Sequence, residues 1–252
     1  MLRNKKIIVT AGCSGIGAEF TKLLLEKGAT VFPTTRNIYE LDYSNEILRH
    51  KQCKPYEFNA KNNKDVDGFV GLLEKNEGEI YALINCAACR DVIRDPAETD
   101  MNEWQKHYFS NVFLPTALSV SVADRLIKKN GCIVNMSSFY SITIPDNRVY
   151  DEQTIPATMI YASSKASLNY ITKYLAVKYA ANSIRVNAIL PAGVRNPDRQ
   201  SDFFVSEYCI RTPMGRMAEI NEFNEALLFL LAPANTFYTG QLLTIDGGWS
   251  LL

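Results

Sequence analysis

Tyr161 and Lys165 stand four positions apart in the run Tyr161-Ala162-Ser163-Ser164-Lys165, a helix-favouring stretch that sets a phenol and an ammonium on one helical face. A tyrosine near its ordinary pKa of about 10 is almost wholly protonated at neutral pH, and a nearby ammonium favours the phenolate. Bringing such a pKa to about 7 takes roughly 4 kcal/mol of differential stabilisation, which a closed site holding a further cofactor charge can supply. The pair therefore reads as a general acid/base. The same spacing also arises when a packed ring lies beside a solvated charge, so the reading depends on the rest of the chain.

The elements that would position the pair are visible upstream. A short apolar strand over residues 6–10 leads into TAGCSGIG, residues 10–17, and then into an amphipathic run with Ile16, Phe20, Leu23 and Leu24 on one face. Strand, glycine turn and helix in this order let backbone approach a pyrophosphate, with Gly12, Ser14, Gly15, Ile16 and Gly17 forming the turn and the helix start. A second strand, 30–34, ends at Thr35 and Arg36, where such folds read the adenosine ribose. No carboxylate stands there, and Arg36 offers a cation to a 2′-phosphate; stacking on the adenine instead would admit either NADP or NAD. A third strand near 54–58 ends at Asn59, and a helix over 64–75 brings the chain back.

Residues 82–85 form a fourth apolar run, opening into Asn85-Cys86-Ala87-Ala88-Cys89, small residues that let backbone pass close to a ligand. Cys86 and Cys89 make a CxxC, but no histidine or second CxxC accompanies them, so they read as wall residues rather than redox or metal groups. A helix carrying Trp104, Phe109 and Asn111 follows, then a strand over 131–136 that delivers Ser137 and Ser138 to its C-terminal end, the functional edge of such a sheet.

The bounds agree with this pattern. A chain of 252 residues that is 47% hydrophobic can bury the core of one large α/β domain, and a single domain spanning 1–252 is expected. Lys plus Arg and Asp plus Glu number 27 each, so no global field calls for nucleic acid or an anionic membrane. Six scattered cysteines fit reduced thiols in a cytoplasm rather than a disulfide scaffold. The apolar run at 7–9 is too short for a signal sequence, and no later stretch is long enough to span a bilayer. His50 and His107 are isolated, so no metal site is expected.

Taken together these motifs resemble the single-domain short-chain dehydrogenase/reductase family, from residue 5 to the C-terminus. TAGCSGIG resembles the family's TGxxxGxG, Asn85-Cys86-Ala87-Ala88 its NNAG, Asn111 its helix asparagine, Asn135-Met136-Ser137-Ser138 its strand-five serine motif, and Tyr161 to Lys165 its YxxxK. RVNAILPAG at 185–193 is similar to the segment lining the nicotinamide, and TGQLLTIDGG at 239–248 to the last strand, which helps build tetramers. The resemblance implies a Rossmann-type, doubly wound parallel α/β sheet in three layers and a nicotinamide cofactor. Gly12, Ser14, Gly15, Ile16, Gly17, Arg36, Asn59, Asn85, Ala87, Tyr161, Lys165, Pro191, Gly193 and Val194 are its expected contacts. It further implies that Tyr161 exchanges a proton with the substrate oxygen while Lys165 lowers the tyrosine pKa and holds the ribose. Ser138 would hydrogen-bond the reacting oxygen, and Asn111 would position a water behind Lys165.

Four departures stand out. Ala11, Ala88 and Ala192 replace glycines of the family pattern, adding methyls where backbone nears cofactor and disfavouring positive φ; Gly12 is expected to absorb the first. The fourth is an insertion, since Ser138 and Tyr161 lie 23 positions apart, a longer interval than the family's usual one. The inserted loop, 139–157, carries Asp146, Asn147, Arg148, Tyr150, Asp151, Glu152 and Gln153, and a substrate lid is expected at 194–219.

The expected activity is reversible oxidation of a secondary alcohol to a ketone with NADP, NAD being the second option. The insertion's polar groups, Arg148 and Asp151 foremost, favour a sugar-like substrate over a steroid or acyl chain. A finer likeness is to oxidoreductases of bacterial surface-sugar and flagellar-glycan pathways. Two alternatives compete: a dinucleotide-sensing regulator, which need not keep Asn111, Ser138, Tyr161 and Lys165 together, and a sugar-nucleotide epimerase or dehydratase, for whose substrate domain the chain lacks room. A homotetramer, or a homodimer, is expected from the family, from the long helix through Tyr161 and from the apolar C-terminal strand; Phe223, Leu227, Leu230 and Leu231 give the penultimate helix an apolar stripe that ordinary core packing explains equally well.

Overall fold

The computed structural model describes residues 2–42, 44–90, 100–152, 154 and 157–252. In chain order it runs β1 (Lys6–Val9), α1 (Gly15–Glu26), β2 (Thr30–Thr35), the one-turn helix α2 (Glu46–Arg49), β3 (Tyr56–Glu57), α3 (Asn63–Asn76) and β4 (Ala82–Asn85). Beyond these come α4 (Met101–Tyr108), a π-helical segment (Phe109–Phe113), α5 (Leu114–Arg125), β5 (Cys132–Met136), α6 (Met159–Tyr179), β6 (Arg185–Pro191), α7 (Asp202–Arg211), α8 (Asn224–Leu231) and β7 (Leu242–Ile245). All strand pairings are parallel, in the order β3-β2-β1-β4-β5-β6-β7. The order reverses between β1 and β4, and the crevice there, at the carboxyl ends of the strands, is where a doubly wound sheet binds ligands.

Three layers follow from strand alternation. Ile7 and Val9 of β1 face one way, into a core shared with Phe20, Leu23 and Leu24 of α1 and Leu227, Leu230 and Leu231 of α8. Ile8 faces the other way, toward Val66, Phe69 and Leu73 of α3, Leu118 and Val122 of α5, and Leu175 and Tyr179 of α6. With both faces covered, Ala82–Asn85 and Cys132–Met136 are buried throughout, and the polar residues they carry, Asn85 and Asn135, are hydrogen-bonded to each other inside. Of the two explanations for the α8 stripe, core packing is the one the structure shows: it is fully buried within this first core. The third strand is shorter than expected, two residues plus an isolated bridge from Val31 to Cys53, because β3 is a sheet edge where pairing is one-sided.

The glycine turn departs from expectation in one respect. Ala11 itself takes the left-handed conformation, φ 50°, while Gly12 keeps an ordinary one, so Gly12 does not absorb the alanine. Neighbours leave no choice: a Cβ on Gly12 would lie 2.7 Å from Pro33 Cβ, and one on Gly17 would lie 2.3 Å from the Ala11 carbonyl oxygen. Helix α1 thus presses on the turn, and Ala11 bears a left-handed cost of roughly 1–2 kcal/mol. Ala11→Gly relieves that cost but frees the unfolded chain, for a net gain of up to about 1 kcal/mol. Thermal unfolding of the variant is expected at a midpoint raised by roughly 2–4 °C, and a lowered midpoint would contradict the strain.

Candidate active site

Helix α6 begins where Thr158 caps it, its Oγ1 accepting from Tyr161 N at 3.2 Å, and this fixes Tyr161 in the first turn. One turn on, Lys165 is 2% exposed and its Nζ donates to the Met136 carbonyl at 2.8 Å, at the end of β5. The ammonium lies 5.9 Å from the Tyr161 ring centre. Burial pulls the Lys165 pKa below its ordinary value, partly opposed by Tyr161 and Cys86. Ser137 Oγ donates to the Lys165 carbonyl at 3.2 Å, a second tie between β5 and α6. Ser138 Oγ accepts from Tyr140 N at 3.2 Å as the cap of a 3-10 turn, Phe139–Ser141, an arrangement that leaves its own proton for a ligand.

Asn111 sits in the π segment between α4 and α5, a type of helical irregularity frequent at functional sites, and is fully buried. Its Oδ1 accepts from Cys89 N at 2.7 Å, and its Nδ2 donates to Cys89 O and to Ser164 Oγ, each at 3.0 Å. Both amide protons are engaged, so a water behind Lys165 would have only carbonyl oxygens of this residue to meet. Asn85 is likewise interior: its Nδ2 donates to Ser119 Oγ (2.9 Å) and Asn135 Oδ1 (2.8 Å), bracing β4 against β5 and α5. The following loop is held by Thr10, whose Oγ1 accepts from Cys86 N and Ala87 N at 2.9 and 3.0 Å. Burial pushes the Cys86 thiol up to about 12, which removes it from thiolate chemistry. Among the described residues no three His, Cys, Asp or Glu side chains converge.

The residues of the glycine turn suit a dinucleotide. Ser14 caps α1 with no side-chain hydrogen bond and no acidic residue stands in the first turn, so the helix N–H groups and dipole at Gly15, Ile16 and Gly17 are free to meet a phosphate. A Cβ on Gly15 would meet nothing within 4 Å, so the turn opens outward there. Arg195, next to Val194, buries an Nη1 without a partner among the described residues, an orphan that an anionic group would satisfy. Arg36 and Asn59 are exposed at the ends of β2 and β3. Glu57 Oε2 accepts from Ile38 N at 3.2 Å, so a carboxylate does border this ribose edge, brought there by β3 rather than by the end of β2. Pro191, Gly193 and Val194 continue β6; Gly193 N donates to Tyr208 OH at 2.7 Å, and a Cβ on Gly193 would lie 2.9 Å from that ring. Thr10 and Tyr208 escape sequence reading because their work is done on backbone N–H groups, which no side-chain motif reports.

The insertion is fastened to α7. Asp146 receives Arg211 Nε of α7 at 3.0 Å and a two-pronged contact from Arg148, whose side chain is otherwise 81% exposed. The two guanidinium groups hold the Asp146 carboxyl well below the usual range. Asp151 accepts from Thr154 N (2.8 Å) and from Ser201 Oγ at the start of α7. Tyr150 packs on Phe204, ring centres 5.2 Å apart, and its hydroxyl meets Tyr140 OH at 2.9 Å. Gln153 lies outside the described residues. A cavity of about 890 Å³ between the insertion and the start of α6 is lined by Ile142, Ile144, Asp151, Met159 and Ser163 among others; neither Tyr161 nor Ser138 lines it. It is thus the outer flank of the insertion, whereas Arg90 stands at the reaction site, its Cζ 5.4 Å from the Tyr161 ring centre.

Comparison with known proteins agrees with this geometry. The family described as enoyl-(acyl carrier protein) reductase matches residues 10–250. The 3-oxoacyl-[acyl-carrier-protein] reductase FabG of Thermotoga maritima is 31% identical over 255 residues, covering 98% of both chains. An uncharacterized short-chain type dehydrogenase/reductase, y4vI of Sinorhizobium fredii, is 30% identical over 96% of this chain, which spans only 43% of that longer protein. Among solved structures, a short-chain dehydrogenase of Leptospira borgpetersenii with bound NAD+ superposes with a TM-score of 0.87 at 28% identity, covering 99% of this chain and 94% of that one. ElxO with NADP bound shares the fold, with a TM-score of 0.86 at 21% identity over 99% and 100% of the two chains. No described helix is long and apolar enough to cross a membrane. Likeness of this extent, running from the glycine turn to the last strand, places the chain in the short-chain dehydrogenase/reductase family as an NAD(P)-dependent oxidoreductase.

Proposed function

We propose that this oxidoreductase interconverts a secondary alcohol and a ketone, with Tyr161 as the acid/base, on a polar, sugar-like substrate. The observation that carries the reading is the buried Lys165 ammonium, pinned to the Met136 carbonyl and set beside the Tyr161 ring. The bound nicotinamide dinucleotide supplies the hydride donor or acceptor, and the protein supplies position and charge. In reduction the Tyr161 hydroxyl gives its proton to the carbonyl oxygen; in oxidation the phenolate takes it from the carbinol. Ser138 donates its free proton to the same oxygen, and Lys165 keeps a cation beside the phenol throughout. Asn111 braces the start of α6 through Ser164, whose Oγ donates to the Tyr161 carbonyl at 2.7 Å, and a carbonyl of Asn111 accepts from the water that refills the proton. The sugar-like class is supported by the polar composition of the insertion and by the paired hydroxyls of Tyr140 and Tyr150.

NADP is the proposed cofactor, on the strength of the exposed Arg36 cation at the end of β2 and of no carboxylate at Thr35 or Arg36. A cytoplasmic homotetramer is the proposed state. The surface that supports assembly is on α6, where Tyr170, Tyr174 and Val177 stand exposed, with Phe113 beyond them on the π segment. One domain, 1–252, with a lid at 194–219, is proposed to carry the whole reaction.

Tyr161→Phe keeps the ring and removes the proton, so kcat should fall by about 100-fold or more while dinucleotide affinity stays within about threefold. Stopped-flow reduction of a carbonyl panel and cofactor titration test this, and turnover near that of the unaltered protein would reject Tyr161 as the acid. Arg36→Ala should weaken NADP by on the order of tenfold, the loss of a charge-assisted bond, and leave NAD little changed. Parallel titrations with both cofactors decide it; equal loss for the two would show that Arg36 does not read the phosphate.

A further inference from the structure

Arg90 is a charge at the reaction site that the proposed chemistry does not use. It lies just past the end of β4, exposed, with its Cζ 5.4 Å from the Tyr161 ring centre, while Lys165 stands 5.9 Å from the same ring. Two cations therefore flank one phenol. The groups around them are neutral: Tyr140 OH and Tyr150 OH are bonded to each other at 2.9 Å, and Ser138 Oγ caps the turn that carries Tyr140. Among the described residues no carboxylate forms an ion pair or hydrogen bond with Arg90. Its charge reaches Tyr140, Tyr150 and Lys165, and at Lys165 it adds to the cost of a second positive charge. Two like charges beside one phenol, with no balancing acid among the described residues, favour a negative occupant. A guanidinium carries a planar N–H fork, shaped for a planar oxyanion. The cofactor's phosphates belong to the glycine turn at α1, so this anion falls to the substrate.

We infer that Arg90 determines specificity by binding an oxyanion, a carboxylate or phosphate ester, that the substrate carries close to the carbon being oxidised or reduced. The inference rests on the reading of Tyr161 as the group that meets the reacting oxygen: Arg90 stands 5.4 Å from that ring's centre, so an anion it binds is a near neighbour of that oxygen. Within the sugar-like class it selects sugar acids or sugar phosphates over neutral polyols.

The test uses the full chain with both nicotinamide cofactors and matched substrate pairs, oxo acids against their amides and phosphorylated against unphosphorylated hydroxyketones. The unaltered protein should favour the charged member in kcat/KM by on the order of 30-fold, in whichever series holds the true anion. Arg90→Gln should erase that preference, and Arg90→Lys should restore it only in part, since an ammonium cannot make the two-pronged contact. Preference in the acid series alone or the phosphate series alone identifies the group. Equal kcat/KM for charged and neutral members in the unaltered protein, or an Arg90→Gln loss that strikes both alike as a packing defect would, overturns the inference while Tyr161 keeps its role. Retained dinucleotide binding with turnover of no pair member overturns the proposed reaction itself, and the inference with it.

Discussion

A lysine ammonium almost wholly withdrawn from water must be satisfied by the protein, and the group that satisfies Lys165 is the carbonyl at the last residue of β5. That single bond decides how helix and sheet meet. Because the same strand end continues into Ser138 and the same helix begins with Tyr161, a bond between backbone and buried charge sets the relative position of two side chains that never need to touch. Ser137 repeats the tie from the opposite direction, and Asn111 and Ser164 extend it to the loop beyond β4. Loss of any one member would leave a buried polar group orphaned, so the assembly holds as a network rather than as separate contacts.

Much of this was readable before any coordinates. The strand, glycine turn and helix from β1 to α1 follow from apolar periodicity and the spacing of the glycines, and the buried strands β4 and β5 follow from short, mostly apolar runs. Lys165 meets the last carbonyl of β5, Ser138 follows two residues after it, and Asn111 reaches α6 through Ser164. What escaped was set by tertiary contact. Ala11 carries the left-handed turn because Gly12 and Gly17 are pressed on both sides, a crowding invisible along the chain. Glu57 reaches the ribose edge through strand neighbourhood, not sequence neighbourhood. Asn85 points inward to Ser119 and Asn135, although its motif reads as a ligand contact, because the buried ladder claims its amide.

The insertion shows the same limit from another side. Its polar residues suggested a lining for substrate, yet Asp146 is taken up by Arg148 and Arg211, and Asp151 by Thr154 and Ser201. Composition reports that such groups will find partners and is silent on which. Here two of the four belong to α7, Arg211 at its end and Ser201 as its cap, and the aromatic packing of Tyr150 on Phe204 gives the contact an apolar centre.

Two segments distant in the sequence thus form one roof. Asp151 and Ser201 are separated by 50 positions, and Asp146 and Arg211 by 65, yet each pair closes the same seam. For descent and recombination this means that the two segments are inherited usefully only together. A crossover falling between them would graft the insertion onto a foreign helix with neither the serine nor the arginine to receive it, leaving two carboxylates facing each other's absence. Transfer of this roof to another scaffold therefore calls for both segments as a paired block and not residue by residue.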